Sequence, residues 1–281
     1  MVAGETAVRV ACIQMEPRVG ALQDNLRDSL DRLEQAVAGG AQLLVLPELT
    51  NSGYMFADRG EAFDAAEEIP TGPASRAWVD FCRKHRVHLV AGIAERQGQR
   101  LFNSSIVIGP DGYLGTYRKV HLWNKENLWF EPGDLGFPVF HTALGRLATV
   151  ICYDLWFPEA ARSCALAGAD VICVPTNWVP IPGQAPGERA MATVLCQAQA
   201  HCNSTFIAAA DRVGTERGQS FVGQSAVVSY TGWPLAGPAS TDAEEILYAD
   251  LDLAAARAAR RWNEFNDPIR DRRPDTYQVQ G

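Results

Sequence analysis

Three residues from distant parts of the chain carry side chains suited to covalent catalysis at a carbonyl carbon. Cys152 closes an apolar run in "ATVICYDLWFPEAARSCALAG", and a Pro-Glu pair soon after it opens an amphipathic stretch. A cysteine between a strand end and a helix start is fixed by the strand and exposed by the turn. It also lies near the partial positive charge and free N–H groups of a helix N-terminus. A thiol attacks as a thiolate, and there the Tyr153 N–H is placed to receive the oxyanion of a tetrahedral intermediate. Glu48, in "LLVLPEL", follows four apolar residues and a proline. A carboxylate so placed is costly to desolvate unless it has a partner or a task. Lys119, in "GTYRKVHL", ends a strand-like run. Each has a plain alternative: a small buried hydrophobe, a loop carboxylate and a surface lysine. Taken together they suit amide cleavage. Glu48 takes the thiol proton and delivers it to departing ammonia, and Cys152 forms a thioester. Lys119 and the Tyr153 N–H hold the charged oxygen, and Glu48 then activates water. That chemistry calls for no metal and no organic cofactor.

The elements that must position these groups alternate between apolar runs and helical stretches. "VRVACIQM" reads as a strand, and Leu22, Leu26, Leu30, Leu33 and Val37 then repeat at helical spacing up to Gly39-Gly40. "QLLVLPE" is a buried strand, "GPASRAWVDFCRKH" a helix and "HLVAGIAE" a strand. "LFNSSIVIGPDGYLGTYRKVHL" is two strands joined at Pro110-Asp111-Gly112. After an aromatic, irregular segment come the strand "LATVIC", the helix "PEAARSCALAG" and the strand "DVICVPT". "ERAMATVLCQAQAHCN" places Met191, Val194, Leu195, Ala198 and Cys202 on one helical face. "TFIAAADR", "SAVVSYTGWPLA" and "EILYADLDL" are further strands, and a last helix is expected over 253–265. Helices between continuous apolar strands imply helical layers over mixed sheets in one α/β domain spanning 1–281, with 253–281 as C-terminal helix and tail.

The three reactive stretches together resemble the nitrilase superfamily of carbon–nitrogen hydrolases, whose Glu–Lys–Cys triad is matched by "LPEL", "YRKVHL" and "ICYDLWFPE" in order and spacing. "NSSIVIGPDGYLGTYRK", "FEPGD", "GADVICVPTNW" and "GQSAVVSYTGWPLA" extend the resemblance to about residues 7 to 252. It implies a four-layer αββα sandwich with Glu48 as general base, Lys119 as oxyanion stabiliser and Cys152 as nucleophile. A second glutamate, matched by Glu126, would help hold substrate and order the triad. Tyr54, Trp123, Trp129, Trp156 and Trp178 fall in loops after strand ends and suit a small apolar pocket. By the same resemblance Asn177 lies near its mouth. Leu155 and Trp156, just after the nucleophile, stand where carbamoyl-amino-acid hydrolases place cations. Their bulk favours a small, uncharged acyl group, hence an amidase releasing ammonia from a small aliphatic amide. A nitrilase uses the same triad, and an N-carbamoyl amine or amino-acid hydrolase stays open because Arg189 or Arg212 lies within reach of the pocket. A non-catalytic scaffold or binding protein is the reading from a different class. The resemblance also implies a homodimer or higher homo-oligomer, with the C-terminal tail crossing to the partner.

Bulk properties bound the rest. The chain has 281 residues, 47 % hydrophobic and 21 % charged, which is ordinary for a globular protein able to bury its own core. A net charge of −8 argues against nucleic acid as partner. No apolar run approaches a membrane span, and no secretion signal is visible. Seven cysteines at irregular spacing suit reduced thiols and a cytoplasmic location. Cys82, His85 and His88 lack an obvious fourth metal ligand. Cys164, Cys173, Cys196 and Cys202 are expected in the core, and the glycosylation-type sequons at Asn103 and Asn203 carry no weight without secretion.

Overall fold

The computed structural model describes residues 7–183, 185 and 188–277. In chain order it begins with strand β1 (Ala7–Gln14), helix α1 (Leu22–Ala38), β2 (Leu43–Val45), helices α2 (Arg59–Ala65) and α3 (Pro73–His85), and strands β3 (His88–Gln97), β4 (Arg100–Gly109) and β5 (Gly112–Arg118). A short α4 (Glu126–Trp129) leads to β6 (Val139–His141), β7 (Arg146–Thr149), α5 (Pro158–Leu166), β8 (Val171–Pro175), α6 (Met191–Asn203) and β9 (Phe206–Ala210). The chain closes with β10 (Thr215–Glu216), β11 (Gln219–Ser220), β12 (Ala226–Val228), β13 (Pro234–Ala236), β14 (Glu245–Asp252) and α7 (Leu253–Ala259).

Two six-stranded sheets result, ordered β14-β1-β2-β3-β4-β5 and β13-β12-β9-β8-β7-β6. Each has a central trio of parallel strands, β1-β2-β3 and β7-β8-β9, flanked by antiparallel neighbours. The period of two along β1 decides its packing. Val8, Val10 and Cys12 join Val45, Val90, Val171, Cys173 and Ala208 in a core between the sheets. Ala11, Ile13 and Met15 face the other way, where Leu33, Trp78 and Phe81 from α1 and α3 cover the first sheet. Ile172, Val174 and Ile207 meet Ala160, Cys164, Cys196 and Ala200 of α5 and α6 on the outside of the second sheet. The layers are therefore helix, sheet, sheet, helix, as the motifs imply.

Two expectations need correction. On α6 the buried positions are Ala192, Thr193, Cys196, Gln199, Ala200 and Asn203, whereas Met191, Val194, Ala198 and Cys202 are exposed. The buried face mixes small apolar residues with Thr193, Gln199 and Asn203, while the more apolar stripe faces outward, so periodicity selected the wrong stripe, and Cys202 is no core residue. The last helix ends at Ala259 rather than 265. Beyond it the Asn263 side chain accepts from the Phe265 and Asn266 N–H groups, a local turn that competes with helix. Asn103 and Asn203 are both buried. Among the described residues no cluster of three or more His, Cys, Asp and Glu side chains is arranged to hold a metal, and His85 instead contacts Glu34.

Candidate active site

The centre forms where strand ends of the two sheets meet. Glu48 lies three residues beyond β2, Lys119 directly after β5, and Cys152 three residues beyond β7. Two contacts stitch the sheets together here: the Glu48 N–H approaches the Thr176 carbonyl at 3.5 Å, and Asn177 Nδ2 donates to the Glu48 carbonyl at 2.9 Å. The Glu48 turn also needs a bare neighbour, because a Cβ on Gly92 would overlap the Glu48 Cα. Gly133 of "FEPGD" plays the matching part for lysine. Its N–H donates to the Lys119 carbonyl at 2.8 Å, and a Cβ there would overlap the Arg118 carbonyl oxygen.

Lys119 is fully buried, and its Nζ bridges two carboxylates, Glu48 Oε1 at 2.7 Å and Glu126 Oε1 at 2.8 Å. Asn103 Nδ2 also donates to Glu48 Oε1, at 2.6 Å, and the Tyr54 hydroxyl donates to Glu126 Oε1 at 2.6 Å. Glu48 Oε2 is buried with no partner among the described residues, which leaves it free to accept a proton. Burial and the like charge of Glu126 push the Glu48 carboxyl up to about 7, although Lys119 pulls it down. Burial works against the Lys119 charge, but Glu126 and Glu48 outweigh it and its pKa is raised. Burial, then Glu48, pushes the Cys152 thiol well up, with Lys119 opposing. In the free protein the thiol therefore keeps its proton until a base takes it.

Cys152 has φ +46°, a left-handed backbone unusual for a side-chain-bearing residue, at the start of a 3-10 helix (Cys152–Trp156). The first N–H groups of such a helix lack intrahelical partners, and the Tyr153 N–H is among them. Asp154 braces this turn against the lysine strand. It accepts from the Tyr117 hydroxyl at 2.7 Å, from the His121 N–H at 3.0 Å and from the Ile151 N–H at 2.9 Å.

The structure gathers nine of the residues singled out above into two adjoining groups, with Trp123 and Trp129 at their border. Glu48, Tyr54, Lys119 and Glu126 form the polar cluster. Cys152, Tyr153, Trp156, Asn177 and Trp178 line a narrow cavity of about 20 Å³ together with Trp123, Val179 and Ile181. By volume it admits about one water-sized group. A wider cavity of about 130 Å³ opens beside it, bordered by Tyr54, Trp123, Glu126 and Trp129. Arg212 is held elsewhere, 3.3 Å from Glu216 and over the Phe221 ring. Arg189 donates to Gln197 on the exposed face of α6. Sequence reasoning missed Asn103 and Asp154. Neither stood out: Asn103 opens the polar run Asn103-Ser104-Ser105 of β4 and matched only a sequon, and Asp154 sat unremarked inside the nucleophile motif.

Residues 9–261 match the family described as carbon-nitrogen hydrolase. The chain is 41 % identical to a nitrilase of Pyrococcus abyssi over 96 % of its own length and 99 % of that protein's. It is 32 % identical to an N-carbamoylputrescine amidase of Arabidopsis thaliana over 88 % and 86 % of the two chains. Among solved structures, a carbon-nitrogen hydrolase from Helicobacter pylori G27 superposes with a TM-score of 0.85 at 30 % identity, covering 97 % of both chains. A double mutant of the amidase from Nesterenkonia sp. AN1 in complex with acrylamide gives 0.79 at 27 %, covering 98 % of this chain and 97 % of that one. A cysteine at a strained strand end, a lysine bridging two buried carboxylates and this pattern of relatives agree: the chain belongs to the carbon-nitrogen hydrolase family, the nitrilase superfamily of enzymes acting on non-peptide C–N bonds.

Proposed function

We propose that this hydrolase is an amidase converting a small, uncharged aliphatic amide to a carboxylic acid and ammonia. The observation that carries the reading is the fully buried Lys119 bridging Glu48 and Glu126 beside a cavity lined by Cys152. Glu48 Oε2 takes the thiol proton as Sγ attacks the amide carbon. The carbonyl oxygen gains charge against the Lys119 ammonium and the Tyr153 N–H, donors worth about 3 kcal/mol each in such sites. The C–N bond breaks, the proton passes from Glu48 to the nitrogen, and ammonia leaves a thioester. Glu48 then deprotonates water, which attacks the same carbon. The carbon–sulfur bond breaks, and the thiolate recovers its proton from Glu48. Glu126, held by Tyr54 and Lys119, accepts from the amide N–H₂ and fixes the carbonyl for attack.

The narrow cavity at Cys152, taken with the wider one of about 130 Å³ beside it, and their largely aromatic lining favour a short acyl group. A second reading, hydrolysis of an N-carbamoyl compound, draws on the relative named N-carbamoylputrescine amidase. Ammonia release from a panel of short amides, nitriles and N-carbamoyl amines, run beside Cys152→Ala, tests both. The highest kcat/KM on short amides is expected, with none from the variant. Equal release from both proteins overturns the enzymatic reading in favour of a scaffold, and a preference for ureido substrates selects the second. For the partner, we propose a second copy of the chain, seated on the apolar stripe Met191, Val194 and Ala198 that α6 leaves exposed. A monomer by light scattering would overturn it.

A further inference from the structure

Resting on the reading of Glu48, Lys119, Glu126 and Cys152 as the catalytic centre, we propose that Glu216 is a positioning residue for it. Glu216 fixes the loop that carries Tyr54, and through Tyr54 the carboxylate of Glu126. It sits in β10, which pairs with β11 across a tight turn at Arg217-Gly218 where both residues have positive φ. Its carboxylate is buried and collects donors from two distant segments. Oε1 accepts from the Val19 N–H at 2.6 Å. Oε2 accepts from the Tyr54 N–H at 2.8 Å, the Met55 N–H at 2.7 Å and Arg212 Nη1 at 3.3 Å.

This grip has a direction. Residues 54–55 lie outside any helix or strand, so their N–H groups have no ladder to join, and a buried N–H must find an acceptor. One ionised carboxylate supplies it, in charge-assisted bonds stronger than neutral ones. The Arg212 guanidinium that balances the charge lies 4.0 Å over the Phe221 ring, and that ring meets Tyr54 edge-on at 5.8 Å. Arg217 adds a bond to the Met55 carbonyl at 2.9 Å while paired with Glu61. The hairpin thus holds the Tyr54 backbone and ring together. At the far end of the same side chain, the hydroxyl meets Glu126 Oε1, the oxygen that also takes Lys119 Nζ. A shift of the loop moves the phenol away from that oxygen, and a displacement of about 1 Å in catalytic geometry costs about 100-fold in rate.

The test is a double-mutant cycle on kcat/KM for a short amide, using Glu216→Ala, Tyr54→Phe and the double variant, with melting curves for each. Cys152→Ala sets the baseline, and an active Cys152→Ala variant would sink the catalytic reading independently of Glu216. Glu216→Ala is expected to lose roughly 10- to 100-fold. In the Tyr54→Phe background the same change is expected to cost less than about twofold, because the group it positions is gone. Glu216→Gln keeps one acceptor oxygen for the Tyr54 and Met55 N–H groups and is expected to recover part of the loss. Wild-type activity in Glu216→Ala, or an undiminished loss in the Tyr54→Phe background, would overturn the proposal and leave Glu216 a loop-packing residue. Should Glu216→Ala not fold, the cycle with Glu216→Gln decides on the same criterion.

Discussion

The bridging lysine makes a quantitative prediction about pH. Glu48 must be ionised to take the thiol proton, and its carboxyl is pushed up to about 7. The acid limb of kcat/KM is therefore expected near pH 7, well above an ordinary glutamate. Part of that elevation comes from Glu126, the like charge on the other side of Lys119 Nζ. Two carboxylates touching one ammonium lie about 5 Å apart, and at an effective dielectric of about 20 their repulsion is about 3 kcal/mol. That corresponds to at most about two pH units. Glu126→Gln removes the repulsion while keeping the shape, so the acid limb is expected to move down by about one to two units even as the overall rate falls. The assay is initial-rate ammonia release on a short amide from pH 4.5 to 9, with substrate far below KM so that the free enzyme is read. A limb near 4.5 in the wild type, or one unmoved in Glu126→Gln, would refute the coupling of the two acids through Lys119.

Other consequences follow from the same geometry. Between the ordinary glutamate value of 4.5 and about 7 the folded protein holds a proton on Glu48 that the unfolded chain has lost. Stability is therefore expected to fall with rising pH across that window, by up to about 3 kcal/mol, and Glu48→Gln should flatten this part of the unfolding profile. Because burial and Glu48 keep Cys152 as a thiol, its alkylation by iodoacetamide should be slow at pH 6 and climb through the same limb as catalysis. Exposed Cys202 should be modified first at low pH; mass mapping that finds Cys152 fastest at pH 6 would contradict the assignment. Gly92→Ala forces a Cβ onto the Glu48 backbone and is expected to cost at least about 1 kcal/mol in unfolding free energy and at least about tenfold in kcat/KM. Wild-type values for both would show that the turn has room to yield.

Much of the candidate site was legible because its groups sit at strand ends with an unusual residue type. Glu48 after an apolar run, Lys119 after a hairpin strand and Cys152 before a proline-led helix each break the local pattern where the chain turns, but each alone had a plain alternative, and the resemblance of the three stretches to one family is what joined them. What stayed hidden depends on contacts between distant segments. Asn103 and Asp154 differ little in sequence from any polar residue near a turn, yet each joins two parts of the site. Glu216 is 162 residues from the Tyr54 loop it grips. The α6 stripe misled for another reason: the more apolar face of this helix is the exposed one, while its buried face carries Thr193, Gln199 and Asn203, so periodicity pointed to the surface.

The order of strands also bears on how the chain is made. β14, from the end of the sheet-forming chain, pairs along the whole of β1 at its beginning. During synthesis β1 thus lacks one ladder partner until nearly every other element has emerged, and Val8, Val10 and Cys12 stay uncovered until β8 and β9 arrive. Such an interval exposes unpaired strand and apolar surface to neighbouring chains. Folding of this enzyme is expected to be slow, because the pairing of β14 with β1 joins the two ends of the sheet-forming chain.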